Sequence, residues 1–328
     1  MKIGIIGERN NPIAHAILTN SLKCAGVEIV WFAAGDSPRE TREMHHGSEF
    51  DYGLMMTVLG RIYSWLSRTK ADSSRYDCQA VCDSRDIPFI VPAGSSINSG
   101  LPEHMYADPE ADYVVIAGCD QLLDENGLRL ARRAVINYHY SPLPAYRGKN
   151  ALFWQWYYKE PFIGYTFHRV DLGIDTGEII FQGKTGYDAN EPVSEVERRV
   201  IAQSTGEVCK VYECLEHGRK VLIPEALASS YFPSRKFLDL ITADSSRTVS
   251  EILAVFDMLG YFRLRNGLYI AKIIRHGSRQ SAEYSIDQEG ITIPLSDGHV
   301  KGVPFLSRVP FWVYAVLIGR KRMLRGLA

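Results

Sequence analysis

The apolar positions of this chain alternate between short near-continuous runs and helical spacing. Lys2–Gly7 is a β-branched run, a turn cluster ends at Asn11, and Pro12 opens a segment with apolar positions Ile13, Ala16, Ile17 and Leu22. Residues 27–34 form a second apolar run, and this β–α–β opening is how a doubly wound sheet begins. After a polar stretch over 35–75, the pattern predicts a helix ending at 78–82 and a strand over 87–91. The near-continuous apolar run 112–117 suits a central parallel strand. A helix over 122–133 and a strand over 134–136 follow, delivering Asn137 at the strand's carboxyl end, outside which open α/β sheets place their ligands. Residues 151–158 read as an aromatic-rich helix whose rings serve core packing. Residues 163–170 and 178–183 read as paired strands around the turn 171–177. A single helix over 192–216 carries Val196, Val200, Val208, Val211 and Leu215 on one face and ends at His217-Gly218.

Pro, Ser, Asp and Thr accumulate over 231–246, which marks a boundary. The expected organisation has three parts. Residues 1–230 form an α/β domain with a doubly wound, mostly parallel, Rossmann-like sheet. Residues 231–305 form a small β-rich, OB-like module with a leading helix over 248–259. The tail 306–328 is an uncharged run, 309–318, followed by a basic one, 319–325. Ten apolar residues are too few to cross a bilayer, which needs about 20. A docking segment with a solvated basic end is preferred to an interfacial anchor.

Composition narrows the classes. The 328 residues are 46% hydrophobic, enough for a sizeable core, and 23% charged with a net charge of −1, which leaves no global electrostatic footprint for nucleic acid. No secretory leader is read at the N-terminus, so a cytoplasmic protein is expected. Six scattered cysteines then read as free thiols of a reducing compartment. Cys78 and Cys82 lack a second Cys/His pair of zinc-site spacing, so no metal is assigned. Gly4 and Gly7 do not make a dinucleotide fingerprint.

The candidate chemistry lies in Asn137-Tyr-His139-Tyr-Ser141-Pro-Leu-Pro144-Ala-Tyr-Arg147-Gly148 and His168-Arg-Val-Asp171-Leu-Gly173-Ile-Asp175-Thr176-Gly177. In extended backbone, Asn137 and His139 share a face. A carboxamide and an imidazole side by side, with Asp175 fixing the imidazole, could stabilise a tetrahedral oxyanion and move the proton of an attacking nucleophile. No Ser or Cys occupies a nucleophile elbow, so direct acyl transfer is preferred to a covalent intermediate. The bland alternative, a strand-end Asn and His with Asp175 as a turn residue, stands level on spacing alone.

The two-part motif resembles the signature of the 10-formyltetrahydrofolate-dependent formyltransferases, which include methionyl-tRNA, glycinamide ribonucleotide and nucleotide-linked amino-sugar formyltransferases. The resemblance is close over 112–183 and looser elsewhere. It implies Asn137, His139 and Asp175 as the catalytic set acting on the formyl carbon of 10-formyltetrahydrofolate. His139 serves either as base or as oxyanion stabiliser. It implies pterin contacts at Phe89, Ile90 and Val91, at Ile116, Ala117 and Gly118, and at Asp171 and Gly173. Ser141, Arg147, Lys149 and Asn150 are weaker candidates for substrate contact.

The Ser141-Pro-Leu-Pro144 variant and the mildly acidic stretch 35–49 tilt the expected acceptor from tRNA towards a nucleotide-linked amino sugar or other small amine. The remaining alternatives are a hydroxyornithine, a carrier-bound amino acid, or a folate-binding scaffold without activity. A homodimer and contact of the tail with the inner face of a membrane are further expectations.

Overall fold

The computed structural model describes residues 1–35, 73–188, 191–225, 227–259, 261–265, 269–278, 283–286 and 289–304. The acidic stretch 36–49 and the apolar-basic tail 306–328 lie outside the described residues. The chain divides into two units, Met1–Phe232 and Pro233–Ala328.

In the first unit, β1 (Lys2–Gly7), α1 (Pro12–Ser21), β2 (Glu28–Ala34), α2 (Cys78–Asp83), β3 (Phe89–Ile90), α3 (Glu103–Ala107), β4 (Tyr113–Ile116), α4 (Glu125–Leu128) and β5 (Ala134–His139) alternate strand and helix. They are followed by β6 (Arg147–Gly148), α5 (Ala151–Tyr157), β7 (Ile163–Arg169), β8 (Ile179–Thr185), α6 (Val193–Gly206), α7 (Val208–His217) and β9 (Tyr231–Phe232). Seven strands make one sheet in the order β3-β2-β1-β4-β5-β7-β8. The first five are parallel, and β7 and β8 join antiparallel. The expected α/β class with a mostly parallel sheet is what the structure has.

Period-two alternation splits the strands between two apolar layers. Ile3, Ile5, Ile136 and Tyr138 pack with Ile17, Leu18, Val196, Val200 and Val211 on one face. Ile6, Trp31, Val114 and Val135 pack with Ile97, Leu101 and Leu130 on the other. A fully buried aliphatic side chain is worth about 1.5–3 kcal/mol relative to exposure, so these two layers carry the fold.

Three predicted elements differ. The helix over 122–133 shrinks to the single turn α4. Asp124 caps it by accepting from the Asn126 and Gly127 N–H groups, and Arg132 and Arg133 already donate to the Ala111 and Asp112 carbonyls. The return to the sheet leaves no room for more helix. Cys78 begins α2 instead of closing a helix, because Asp77 accepts from Gln79 and Ala80 N–H. The long helix over 192–216 is two, α6 and α7, broken at Gly206-Glu207, where Glu207 accepts the Tyr165 hydroxyl. All five apolar positions predicted for its face are buried.

The expectation of six free thiols fails at two positions. Cys24, just beyond α1, and Cys209 in α7 form a disulfide with Cα atoms 5.3 Å apart. They are 185 residues apart in sequence, so only the packing of α1 on α7 brings them together. Cys78, Cys82, Cys119 and Cys214 take part in no disulfide among the described residues.

The second unit holds α8 (Ser234–Ile241), β10 (Thr242–Ala243), α9 (Val249–Leu259), β11 (Phe262–Leu264), β12 (Tyr269–Gly277), β13 (Ser285–Ile286), β14 (Ile291–Leu295) and β15 (Gly298–Pro304). Its six-stranded sheet runs β10-β11-β12-β15-β14-β13, with Ile252, Val255, Phe262, Ile270, Ile293 and Val300 buried. Among the described residues no helix is long and apolar enough to cross a membrane.

Candidate active site

The ladder between β5 and β7 builds the site's floor. It sets Asn137 opposite His168 and His139 opposite Thr166. Tyr138 points to the opposite face, where its hydroxyl meets Ser204 Oγ at 2.8 Å under α6. Asn137 and His139 therefore share the face of Val135, away from α6 and α7.

Asp175 arrives from the β7–β8 connection in left-handed backbone, φ 52°. An Asp tolerates this region better than most residues. The turn is held by Asp171, whose Oδ1 accepts from Gly173 N–H at 3.0 Å and from Thr176 Oγ1 at 2.7 Å. Gly177 is required there, since a Cβ would stand 1.9 Å from the Arg169 carbonyl oxygen.

Four side chains converge. Asp175 Oδ1 lies 3.6 Å from His139 Nδ1 and 3.6 Å from His168 Nε2, and its Oδ2 accepts the Gly148 N–H at 2.8 Å. Asn137 Nδ2 donates to Asp175 Oδ1 at 3.4 Å and meets His168 Nε2 at 3.2 Å. His168 Nδ1 faces the Arg169 carbonyl at 2.8 Å, which fixes Nδ1 as the protonated nitrogen and leaves Nε2 to accept from Asn137. With its amide hydrogens on His168 and Asp175, Asn137 is held in one amide orientation; the reverse would set its oxygen against the carboxylate.

His139 is fixed in the same way. Its Nε2 lies 3.0 Å from the Tyr146 carbonyl, so Nε2 carries the proton and Nδ1 is the basic atom on the Asp175 side. The Tyr146 carbonyl is aimed by left-handed backbone, φ 59°, costly for an aromatic residue. Three contacts hold it there. Tyr146 N–H donates to Ser230 Oγ at 2.8 Å, the ring stacks on Phe232 with centroids 5.2 Å apart, and the hydroxyl donates to Glu160.

Burial pushes the His139 pKa below its ordinary value, against the pull of the Asp175 carboxylate. Burial pushes the Asp175 carboxyl up as well. It is outweighed by His168 beside it, by the charge His139 acquires in acid, and by the Gly148 N–H, and the net result is about 2. At neutral pH the pair thus carries a carboxylate beside a neutral imidazole, the arrangement of a base ready to accept a proton.

The other predicted residues are dispersed. Arg147 lines a cleft of about 300 Å³ with Leu143, Pro144, Asp175, Thr176, Gly177, Ile179 and Ser229. Ser141 is fully buried and gives its hydroxyl to the Ala145 carbonyl, so it serves the turn and not the cleft. Lys149 is paired with Asp120 on the surface, and Asn150 sits in left-handed backbone before α5. Phe89 stacks on Phe32 and Ile90 is half-buried, while Val91 stands exposed beyond β3. Ile116 and Ala117 are buried at the end of β4, and Gly118 turns at φ 64° against the Asn11 side chain. None of Phe89, Ile90, Val91, Ile116, Ala117 and Gly118 lines the cleft beside Asp175.

His168 was not among the residues singled out from sequence. Its place in the motif was the available signal. The antiparallel register that sets it beside Asn137 was not legible from spacing. Among the described residues no group of three metal-ligating side chains is found.

Residues 95–210 match the family described as formyl transferase. The chain is 26% identical over 247 residues to the methionyl-tRNA formyltransferase of Thermotoga maritima, covering 71% of this chain and 78% of that one. It is 29% identical over 137 residues to the GDP-perosamine N-formyltransferase of Brucella melitensis biotype 1, covering 41% of this chain and 51%, about half the length, of that relative. In three dimensions it resembles the N-formyltransferase from Helicobacter canadensis solved with folinic acid and dTDP-3-aminofucose. The TM-score is 0.52 at 17% identity, over 93% of this chain and 99% of that one. At that identity the likeness is one of fold.

Proposed function

We infer that this chain, whose residues 95–210 match the formyl transferase family, transfers the formyl group of 10-formyltetrahydrofolate to the primary amine of a nucleotide-linked amino sugar. The observation that carries the formyl-transfer reading is the convergence of Asn137, His139, His168 and Asp175 with His139 Nδ1 as a free base. The folate supplies an activated formyl carbon. The acceptor nitrogen attacks that carbon, His139 Nδ1 takes the proton the amine sheds, and the same proton passes to the departing folate nitrogen as its bond to carbon breaks. Asn137 gives an N–H to the oxygen as it gains charge; the long 3.4 Å bond to Asp175 is the weaker of its two attachments and the one to be exchanged. Asp175 stabilises the imidazolium formed in between. The exposed apolar side chains Val91, Leu172 and Ile174 are suited to covering a flat pterin.

The amino-sugar acceptor is supported by the perosamine-formylating relative and by the resemblance to the Helicobacter enzyme. The working compartment on this reading is the cytoplasm. The direct test is turnover with 10-formyltetrahydrofolate against a panel of nucleotide-linked amino sugars. No product on that panel, with product on charged initiator tRNA, would move the acceptor to tRNA. That second reading rests on the longer match to the Thermotoga enzyme, and it requires tRNA binding that weakens steeply with salt.

A further inference from the structure

Arg147 differs from the other cations around the site. Lys149 is paired with Asp120, Arg169 with Glu178, and Arg199 with Glu191. Arg147 lies within ion-pair distance of no carboxylate among the described residues, although Asp175 lines the same cleft. The oxygens of Asp175 already accept the Gly148 N–H and the Asn137 amide. Arg147 Nε is buried without a hydrogen-bond partner. Its backbone is fixed by β6–β9 pairing and by its N–H to the Ser230 carbonyl at 2.9 Å, and its guanidinium lies over the Tyr231 ring, 5.9 Å from the centroid. A guanidinium carried on a fixed backbone, lying over an aromatic ring, and left with an unused buried donor is poised for a planar or tetrahedral anion.

We propose that Arg147 is the anion anchor of the acceptor side of the cleft: it takes a phosphate or carboxylate carried by the acceptor and so selects amines borne on an anionic molecule. This rests on the formyl-transfer reading above. The cleft is assigned to the acceptor because the segments at 89–91 and 116–118, expected to meet the pterin, contribute no lining residue to it. The donor's own carboxylates are the competing source of the same charge, and the test separates the two.

Arg147→Gln and Arg147→Lys are compared with the unaltered full chain. With a nucleotide-linked amino sugar as acceptor, R147Q raises the acceptor KM by about tenfold to a hundredfold and leaves kcat and the donor KM near their original values; R147K recovers part of the loss. The same amino sugar without its nucleotide is used equally poorly by all three proteins. In a separate arm, calorimetry with inorganic pyrophosphate alone shows binding to the unaltered chain that R147Q loses. An unchanged acceptor KM overturns the proposal, as does a rise confined to the donor KM, which would assign the anion to the folate. If no nucleotide-linked amino sugar is turned over, the acceptor reading fails, yet the pyrophosphate arm still decides the role of Arg147. Equal binding by unaltered and R147Q chains overturns it.

Discussion

The two halves of the site are built by different means. Asn137, His139 and His168 stand on adjacent antiparallel strands, where ladder register alone sets their spacing. Asp175 stands on a turn, and its position depends on left-handed backbone, on Asp171 bonding to Gly173 and Thr176, and on the bare Cα of Gly177. A strand-borne residue can be exchanged without moving its neighbours. The turn-borne carboxylate is only as well placed as the least tolerant residue of its turn.

The largest expected effect is therefore chemical and lies on the strands. His139→Ala lowers kcat by about 10²–10⁴, and Asn137→Ala by about 10²–10³, in single-turnover assays with both substrates saturating, while folding stays intact by circular dichroism. Near-normal rates in either variant would remove the proposed mechanism. Asp175→Asn comes next, with a loss of about 10² and a distinctive pH signature. In the unaltered protein kcat/KM falls as pH drops through the His139 pKa, which burial sets below the ordinary 6.5. Asp175 raises that pKa, so its loss moves the acid limb to still lower pH. An acid limb that moves up, or does not move, would show that the carboxylate acts elsewhere.

Gly177→Ala tests the turn itself. A Cβ there displaces the Arg169 carbonyl or the turn, costing about 1–3 kcal/mol in urea denaturation, with activity falling along with Asp175's placement. Retention of both full stability and full rate would mean the turn is not what positions Asp175. The smallest effect is expected from Tyr138→Phe, which breaks the bond to Ser204 beneath the sheet, costs about 1 kcal/mol, and leaves kcat as it was. A large drop in kcat there would mean that the strand transmits more than register.

The same contrast explains what was legible beforehand. Asn137 and His139 could be placed on one face because strand alternation is a property of two neighbouring positions. Asp175 could be singled out from its flanking glycines and the long motif, although nothing in the spacing shows its left-handed backbone. His168 carries no such signal, because its role depends on which strand lies beside β5. Apolar spacing overstates the helix over 122–133, because it carries no record of Arg132 and Arg133 bonding to the chain before β4. Tyr146 reads as one aromatic among many. Its carbonyl matters because of a backbone conformation held by Ser230, Glu160 and Phe232, all distant in sequence.

The Cys24–Cys209 bond has a topological consequence. Residues 24–209 become a closed covalent ring, and Asn137, His139, His168 and Asp175 all lie within it. One cut between those cysteines opens the ring without releasing a fragment: a singly nicked molecule migrates as one band until reductant is added and then separates into two. Only what lies outside the ring, the first strand and helix at one end and everything after α7 begins at the other, can be shed by a single cut.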